Sequence, residues 1–147
     1  ALGREANLQI MGKNQLFKIP ILRTFLRKMG VFPVDRGHSD IGAVKRSIQA
    51  LKDGFMLMVF PEGTRVRKKN RGARPKGGVA MMAIRAGAKL MPIYIGTKKR
   101  LFAKVPIIFG KPFIPEYTGR KGTVEEYQAN ADEVIRRAYE LGGETWT

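Results

Sequence analysis

Gly54-Phe55-Met56-Leu57-Met58-Val59-Phe60-Pro61-Glu62-Gly63-Thr64-Arg65 is the stretch whose reading decides the fold. The run 55–60 carries no polar side chain, with a glycine before it and a proline after it. A run of this length between turn residues reads as a strand buried on both faces, the kind found in parallel sheets covered by helices. In such sheets ligands bind in the crevice beyond the carboxyl ends of the strands. Glu62 to Arg65 therefore stand at the mouth of a site, where the preceding strand has delivered an arginine.

Working outward, the pattern alternates. Residues 6–12 read as a strand and residues 15–29 as a helix, with Leu16, Ile19, Leu22, Leu26 and Met29 at three- and four-residue spacing and Gly30 as its stop. Residues 31–34 form a short strand. Ser39 or Asp40 caps the next helix, whose apolar face is Ile41, Val44, Ile48 and Leu51 and which Gly54 closes. After the strand at 55–60, a basic loop over 65–76 leads to a helix at 77–85, the stop Gly87 and a strand at 90–95. A further strand spans 105–109, before Pro112 and Pro115. The last helix opens with Thr123 and Glu126 in capping-box spacing and buries Val124, Tyr127, Ala131, Val134, Ile135 and Ala138. The expectation is an α/β fold: a single domain in which helices cover a mostly parallel sheet built from four βα repeats.

That topology brings distant cations together. Lys13 follows the first strand, Arg36 the second and Arg65 the third. In a parallel sheet those ends share one edge, so the three can converge on one anion, or can stand there simply because basic residues are frequent in this chain. Arginine forks grip phosphate oxygens at two points and lysine adds a compact charge.

Charge points the same way. The chain has 28 Lys+Arg against 12 Asp+Glu, a formal net charge of +16. Residues 1–115 hold 24 basic and 5 acidic side chains, net +19, and residues 116–147 hold 4 and 7, net −3. Seven cations and no acid fall between Arg65 and Lys76. Such a cluster exceeds what solubility needs and suits a phosphate-rich partner. With no cysteine and one histidine, the sequence carries no zinc-type ligand cluster. Its uncharged apolar runs fall far short of the ~20 residues of a membrane-spanning helix.

The hexapeptide Phe60-Pro61-Glu62-Gly63-Thr64-Arg65 resembles the third motif of the glycerolipid acyltransferases, the family of 1-acyl-glycerol-3-phosphate acyltransferases. Gly12-Lys13-Asn14-Gln15-Leu16-Phe17-Lys18-Ile19-Pro20 with Gly30-Val31-Phe32-Pro33-Val34-Asp35-Arg36 is similar to the second motif. Leu90-Met91-Pro92-Ile93-Tyr94-Ile95 is similar to the proline-containing fourth. The resemblance implies that Lys13, Arg36 and Arg65 hold the acceptor phosphate, that Gly63 and Thr64 let the loop approach the substrate, and that Pro92 shapes the wall of the site. Glu62 either orients neighbouring loop groups or partners a nearby cation. Val66 departs from the serine the family often has there. It further implies a lysophospholipid acceptor, an acyl thioester donor (acyl-CoA or acyl-carrier protein) as co-substrate, no bound cofactor or metal, and a peripheral place on the cytoplasmic face of a membrane with an anionic surface.

The first motif of that family, Asn-His, four residues, then Asp, is absent. In it the histidine is the general base on the glycerol hydroxyl and the aspartate orients its imidazole. The one histidine here is His38, and Ala43 stands five residues after it. The expectation is an acyltransferase domain over residues 1–147, incomplete at its N-terminus, with the motif upstream of Ala1 and no acyl transfer by the chain alone. A non-catalytic basic module binding anionic lipid or nucleic acid is the rival. No aromatic residue interleaves the cations of 65–76 to stack bases, so no nucleic acid is expected. No glycine-rich nucleotide loop follows a strand. The helix at 15–29, with Phe17, Ile21 and Phe25 beside Lys18, Arg23, Arg27 and Lys28, fits either a core helix or an interfacial one. Residues 98–104 are a second candidate for lipid contact.

Overall fold

The computed structural model describes residues 7–34, 40–62, 74–96 and 105–146. Strand β1 (Leu8–Lys13) leads through a 3-10 turn (Asn14–Lys18) into helix α1 (Pro20–Lys28), followed by β2 (Val31–Val34), α2 (Ile41–Lys52) and β3 (Met56–Met58). Helix α3 (Gly78–Ala86), the strands β4 (Ile93–Ile95) and β5 (Ile107–Phe109), and the long helix α4 (Val124–Leu141) complete the chain. β1 pairs in parallel with both β2 and β3, giving the order β2-β1-β3. The α/β class and the parallel sheet are as the sequence implies.

Two parts differ from expectation. The segment at 15–29 is not one helix. Pro20 sits in the first turn of α1, because its ring cannot follow a preceding helical turn but fits the start of a new one, and the chain before it tightens into 3-10 geometry. The fourth repeat also fails to join the parallel sheet: β4 pairs antiparallel with β5, Tyr94 opposite Ile108, in a separate two-stranded sheet. The short return from Ile95 to Ile107 permits a hairpin where a parallel partner needs a helical crossover.

The run 55–60 is also less buried than a strand covered on both faces. Leu57, Met58 and Val59 are half-buried and Met56 and Phe60 exposed. Among the described residues β3 is an edge strand, paired through Leu8 to Ile10 of β1 alone, and its ladder ends at Met58, before Pro61.

The core lies between helices. Ala80, Ala83 and Ile84 of α3 pack with Leu90 and with Tyr127, Val134 and Ile135 of α4. The two alanines let α3 sit close between its neighbours α2 and α4. Asp40 caps α2, its Oδ1 accepting the Ala43 amide at 2.8 Å, and Ser39 lies outside the described residues. The capping box at α4 is complete: the Glu126 amide donates to Thr123 Oγ1 (3.2 Å) and the Thr123 amide to Glu126 Oε2 (2.7 Å). Val124, expected to be buried, is 73% exposed, because the first turn of α4 projects past the core. Asn130 is buried instead. Its Nδ2 donates to the Glu116 carbonyl (2.7 Å) and its Oδ1 accepts the Glu116 amide (2.9 Å), so a polar side chain on the apolar face fastens the approach to α4.

Two glycines separate conformation from crowding. Gly30 (φ 74°) and Gly54 (φ 85°) both adopt the left-handed region, but a methyl group on Gly30 would stand 2.5 Å from the Leu8 carbonyl oxygen, whereas one on Gly54 would meet nothing within 4 Å. Gly54→Ala is expected to destabilise by about 1–2 kcal/mol, the left-handed penalty alone, and Gly30→Ala by more. Urea denaturation of both variants measures this, with the larger fall in midpoint at Gly30.

Candidate functional site

The parallel ladders set the geometry of the site. Lys13, the last residue of β1, lies opposite Val34, the last of β2, and Ile10 lies opposite Met58, the last of β3. The carboxyl ends of three strands therefore share one edge, the crevice side of an open α/β sheet. Lys13 is placed there by its backbone. Val34 leads through Asp35 to Arg36, and Pro61-Glu62 leads to Gly63, Thr64 and Arg65; these four functional candidates, with His38, lie outside the described residues.

Glu62 is the described member of the hexapeptide that carries charge, and it is engaged. The Tyr139 hydroxyl of α4 donates to its Oε1 at 3.2 Å. Burial pushes its carboxyl above the ordinary 4.5, and the bond from Tyr139 opposes that by favouring the ionised form. Of the two roles left open by the sequence, the described contact is with a neutral hydroxyl rather than a cation.

The basic loop leaves and returns at one place, for the Lys76 amide donates to the Pro61 carbonyl at 3.0 Å. Its returning end is fastened to α4. Arg74 meets Asp132 at 2.9 Å, and Gln128 Nε2 donates both to the Pro75 carbonyl and to Asp132 Oδ1, each at 2.8 Å. Arg74 is thus one of the seven cations with an acid to answer it, an acid 58 residues away in sequence. The pair is exposed on the arginine side and is worth little as stability. Its effect is to fix where the loop ends.

Pro92 is buried in the antiparallel hairpin, its carbonyl accepting the Gly110 amide at 2.9 Å just ahead of β4. It thus adjoins the smaller sheet, against which α4 packs at β4. A cavity of about 40 Å³ lies between α2, β3 and α3, lined by Leu51, Leu57, Val59, Met82, Ala83 and Leu90 among others. It has room for a few waters and not for a substrate chain. Among the described residues no cluster of His, Cys, Asp and Glu could hold a metal ion.

Sequence reasoning missed Tyr139, Asp132 and Gln128, all on α4. Tyr139 lies 77 residues from Glu62, and no local spacing announces the contact. The one hint was the acid-rich character of residues 116–147 against a basic remainder.

The parallel sheet ends its three strands at one edge, with helices packed against it, the arrangement in which α/β folds bind ligands. Residues 1–96 match the Acyltransferase family, and the chain belongs to that family. It is 30% identical over 139 residues to the 1-acyl-sn-glycerol-3-phosphate acyltransferase of Bacillus subtilis (strain 168), covering 91% of this chain and 68% of that protein. To the protein of the same name from Streptococcus pneumoniae (strain ATCC BAA-255 / R6) it is 35% identical over 108 residues, covering 69% of this chain and 39% of that one. Among solved structures it is similar to the 1-acyl-sn-glycerophosphate (LPA) acyltransferase PlsC from Thermotoga maritima, with a TM-score of 0.67 and 25% identity. That likeness covers 96% of this chain and 59% of the other.

The Glu62 contact makes a signed prediction. A carboxyl raised above its unfolded value adds stability below about pH 4.5 that is lost as pH rises through its folded value. Glu62→Gln should therefore gain on the parent protein as pH rises above 4.5. Tyr139→Phe should push the Glu62 carboxyl higher still. Thermal melts across pH and carbonyl-carbon NMR titration of Glu62 read the two effects.

Proposed function

We propose that this chain is the acceptor-binding part of an acyltransferase that moves a fatty acyl group from a thioester donor to the free hydroxyl of 1-acyl-glycerol-3-phosphate, in phospholipid biosynthesis. The observation that supports it best is the shared edge of β1, β2 and β3, where the chain delivers Lys13 and leads into Arg36 and Arg65. Relatives named for this reaction, similar over most of this chain, support the choice of substrate.

In this reading Lys13, Arg36 and Arg65 hold the phosphate, which orients the glycerol hydroxyl toward the donor. Gly63 lets the loop backbone come close, Thr64 adds a hydroxyl, Glu62 positions the loop through Tyr139, and Pro92 forms part of the wall. The hydroxyl oxygen attacks the thioester carbonyl carbon, its proton passes to a general base, the carbon–sulfur bond breaks and the thiolate leaves. The donor is acyl-CoA or acyl-carrier protein. The base is the histidine of an Asn-His-x-x-x-x-Asp segment, which the 147 residues do not contain. Without it the phosphate clamp binds and orients but forgoes the ~10²–10⁴ in rate that a positioned base supplies. Because the acceptor and product are lipids, the protein works peripherally at an anionic, cytoplasmic membrane face. No helix among the described residues is long and apolar enough to cross a membrane.

Two measurements test this reading. Calorimetric titration with short-chain, monomeric lysophosphatidate should show Arg65→Ala weakened by ~1.5–3 kcal/mol, the loss of a charge-assisted contact. Lys68→Ala, three residues further along the sequence from the strand end, should lose well under ~1 kcal/mol. Equal losses would replace the defined site by a diffuse basic surface. In an assay with acyl thioester and the same acceptor, the 147 residues should give background turnover, and a chain extended upstream through the Asn-His-x-x-x-x-Asp segment should be active. Robust turnover by the 147 residues, abolished in His38→Ala, would refute the assignment of the base.

A further inference from the structure

Helix α1 buries none of its side chains, although its sequence is strongly amphipathic. Leu22 and Leu26 are half-buried and mark the side turned toward the body, where α1 packs on β2. At 3.6 residues per turn, Ile21, Phe25 and Met29 form a row of neighbours about 100° around the helix from that side. They are 86%, 58% and 48% exposed. Ile19 and Leu16 extend the apolar surface at the start of the helix. Scattered apolar residues on a surface need no explanation, but a continuous row of large ones marks a place where something docks.

Charge indicates what docks. Residues 14–34 contain Lys18, Arg23, Arg27 and Lys28 and no aspartate or glutamate. All four cations are exposed. Lys28 flanks the row and Lys18 precedes it, while Arg23 and Arg27 lie on the opposite side of the helix; a second copy of the chain meeting this face across a two-fold axis would set the two lysines against their own copies. An anionic bilayer offers both what the row lacks and what the cations lack: an apolar boundary for Ile21, Phe25 and Met29, and phosphates for the lysines beside them.

We propose that α1 is the membrane-docking helix of this protein, lying in the plane of an anionic bilayer with Ile21, Phe25 and Met29 at the boundary between headgroups and acyl chains. Lys28, next to the row on the helix surface, and Lys18, just before it, sit at the phosphate level. Docking has a geometric consequence. The 3-10 turn follows directly from Lys13 and leads into α1, so the N-terminal end of the docked helix is the end nearest the carboxyl edge of the sheet. That edge then lies near headgroup depth, where a lysophospholipid presents its phosphate. The proposal takes a lipid surface from the functional reading above but does not depend on acyl transfer.

The chain has no cysteine, so Ile21→Cys accepts a single environment-sensitive fluorophore. Glu125→Cys, exposed on the acidic α4, serves as the control. With vesicles of phosphatidylglycerol in phosphatidylcholine, emission from position 21 should shift to the blue and be quenched by lipid-borne quenchers ~5–10 Å below the interface, with position 125 unchanged. Ile21→Ser with Phe25→Ser should lower flotation on those vesicles about tenfold or more, with circular dichroism and melting temperature unaltered. Flotation that leaves position 21 unshifted, or equal shifts at both positions, overturns the proposal while leaving the acyltransferase reading intact. Absence of flotation overturns it too, as does a shift at position 21 that follows protein concentration without lipid, which would assign the row to a second copy. Failure of the functional reading shows separately, in the titration with monomeric lysophosphatidate.

Discussion

Strand β1 is hydrogen-bonded along both edges, to β2 on one side and to β3 on the other, and both pairings are parallel. Everything at the proposed site follows from this. Side chains alternate along a strand, so a slip of one residue would send the apolar set of β1 to the opposite face and move Lys13 away from the level of Val34. The turn before β2 helps to hold the register: the Gly30 carbonyl accepts the Ile10 amide at 3.0 Å, and Gly30 lies so close to the Leu8 carbonyl that a larger residue would not fit. Three cations far apart in sequence can share one anion only while this central strand keeps both partners in step.

The charges of the chain divide the labour in a way that net charge conceals. Two acids of α4 answer cations of the same helix: Glu133 pairs with Arg136 at 2.7 Å and with Arg137 at 2.6 Å, and Glu140 with Arg136. Hydrogen bonding from Arg136, with support from Arg137, holds the Glu133 carboxyl down to about 2 against the effect of its partial burial. Each exposed pair contributes little. Among the described residues, the ion pair of Asp132 with Arg74 joins this acidic quarter of the protein to the basic remainder.

The parts of the fold that were legible in sequence are those governed by short-range chemistry. Asp40 and Thr123 cap helices because a side-chain oxygen can reach an amide three residues on, and that reach is visible as spacing. The apolar run at 55–60 identified a strand and its direction relative to β1, and through it the edge at which the site lies. What spacing could not show was which strands lacked neighbours. Half-burial of Leu57 and Met58, the detachment of β4 into a hairpin and the exposure of Phe25 all depend on what stands beside an element rather than on its own pattern. The same holds for Tyr139, which the inner face read from the sequence did not include and which meets Glu62 because tertiary packing brings α4 beside the segment after β3.

The junction of Pro61 with Lys76 carries a consequence for how such a protein can diversify. A backbone hydrogen bond joins the two ends, and Arg74 and Pro75 are moored to α4, so the points at which the intervening segment leaves and rejoins the body are fixed. Doubling the length of a loop whose ends are already held adds only about 0.6 kcal/mol of closure entropy. Residues could therefore be inserted or exchanged within 66–73 at small thermodynamic cost while Glu62 and the end of β3 stay where they are. The anchoring that fixes where the loop begins and ends is also what frees its length and composition to vary.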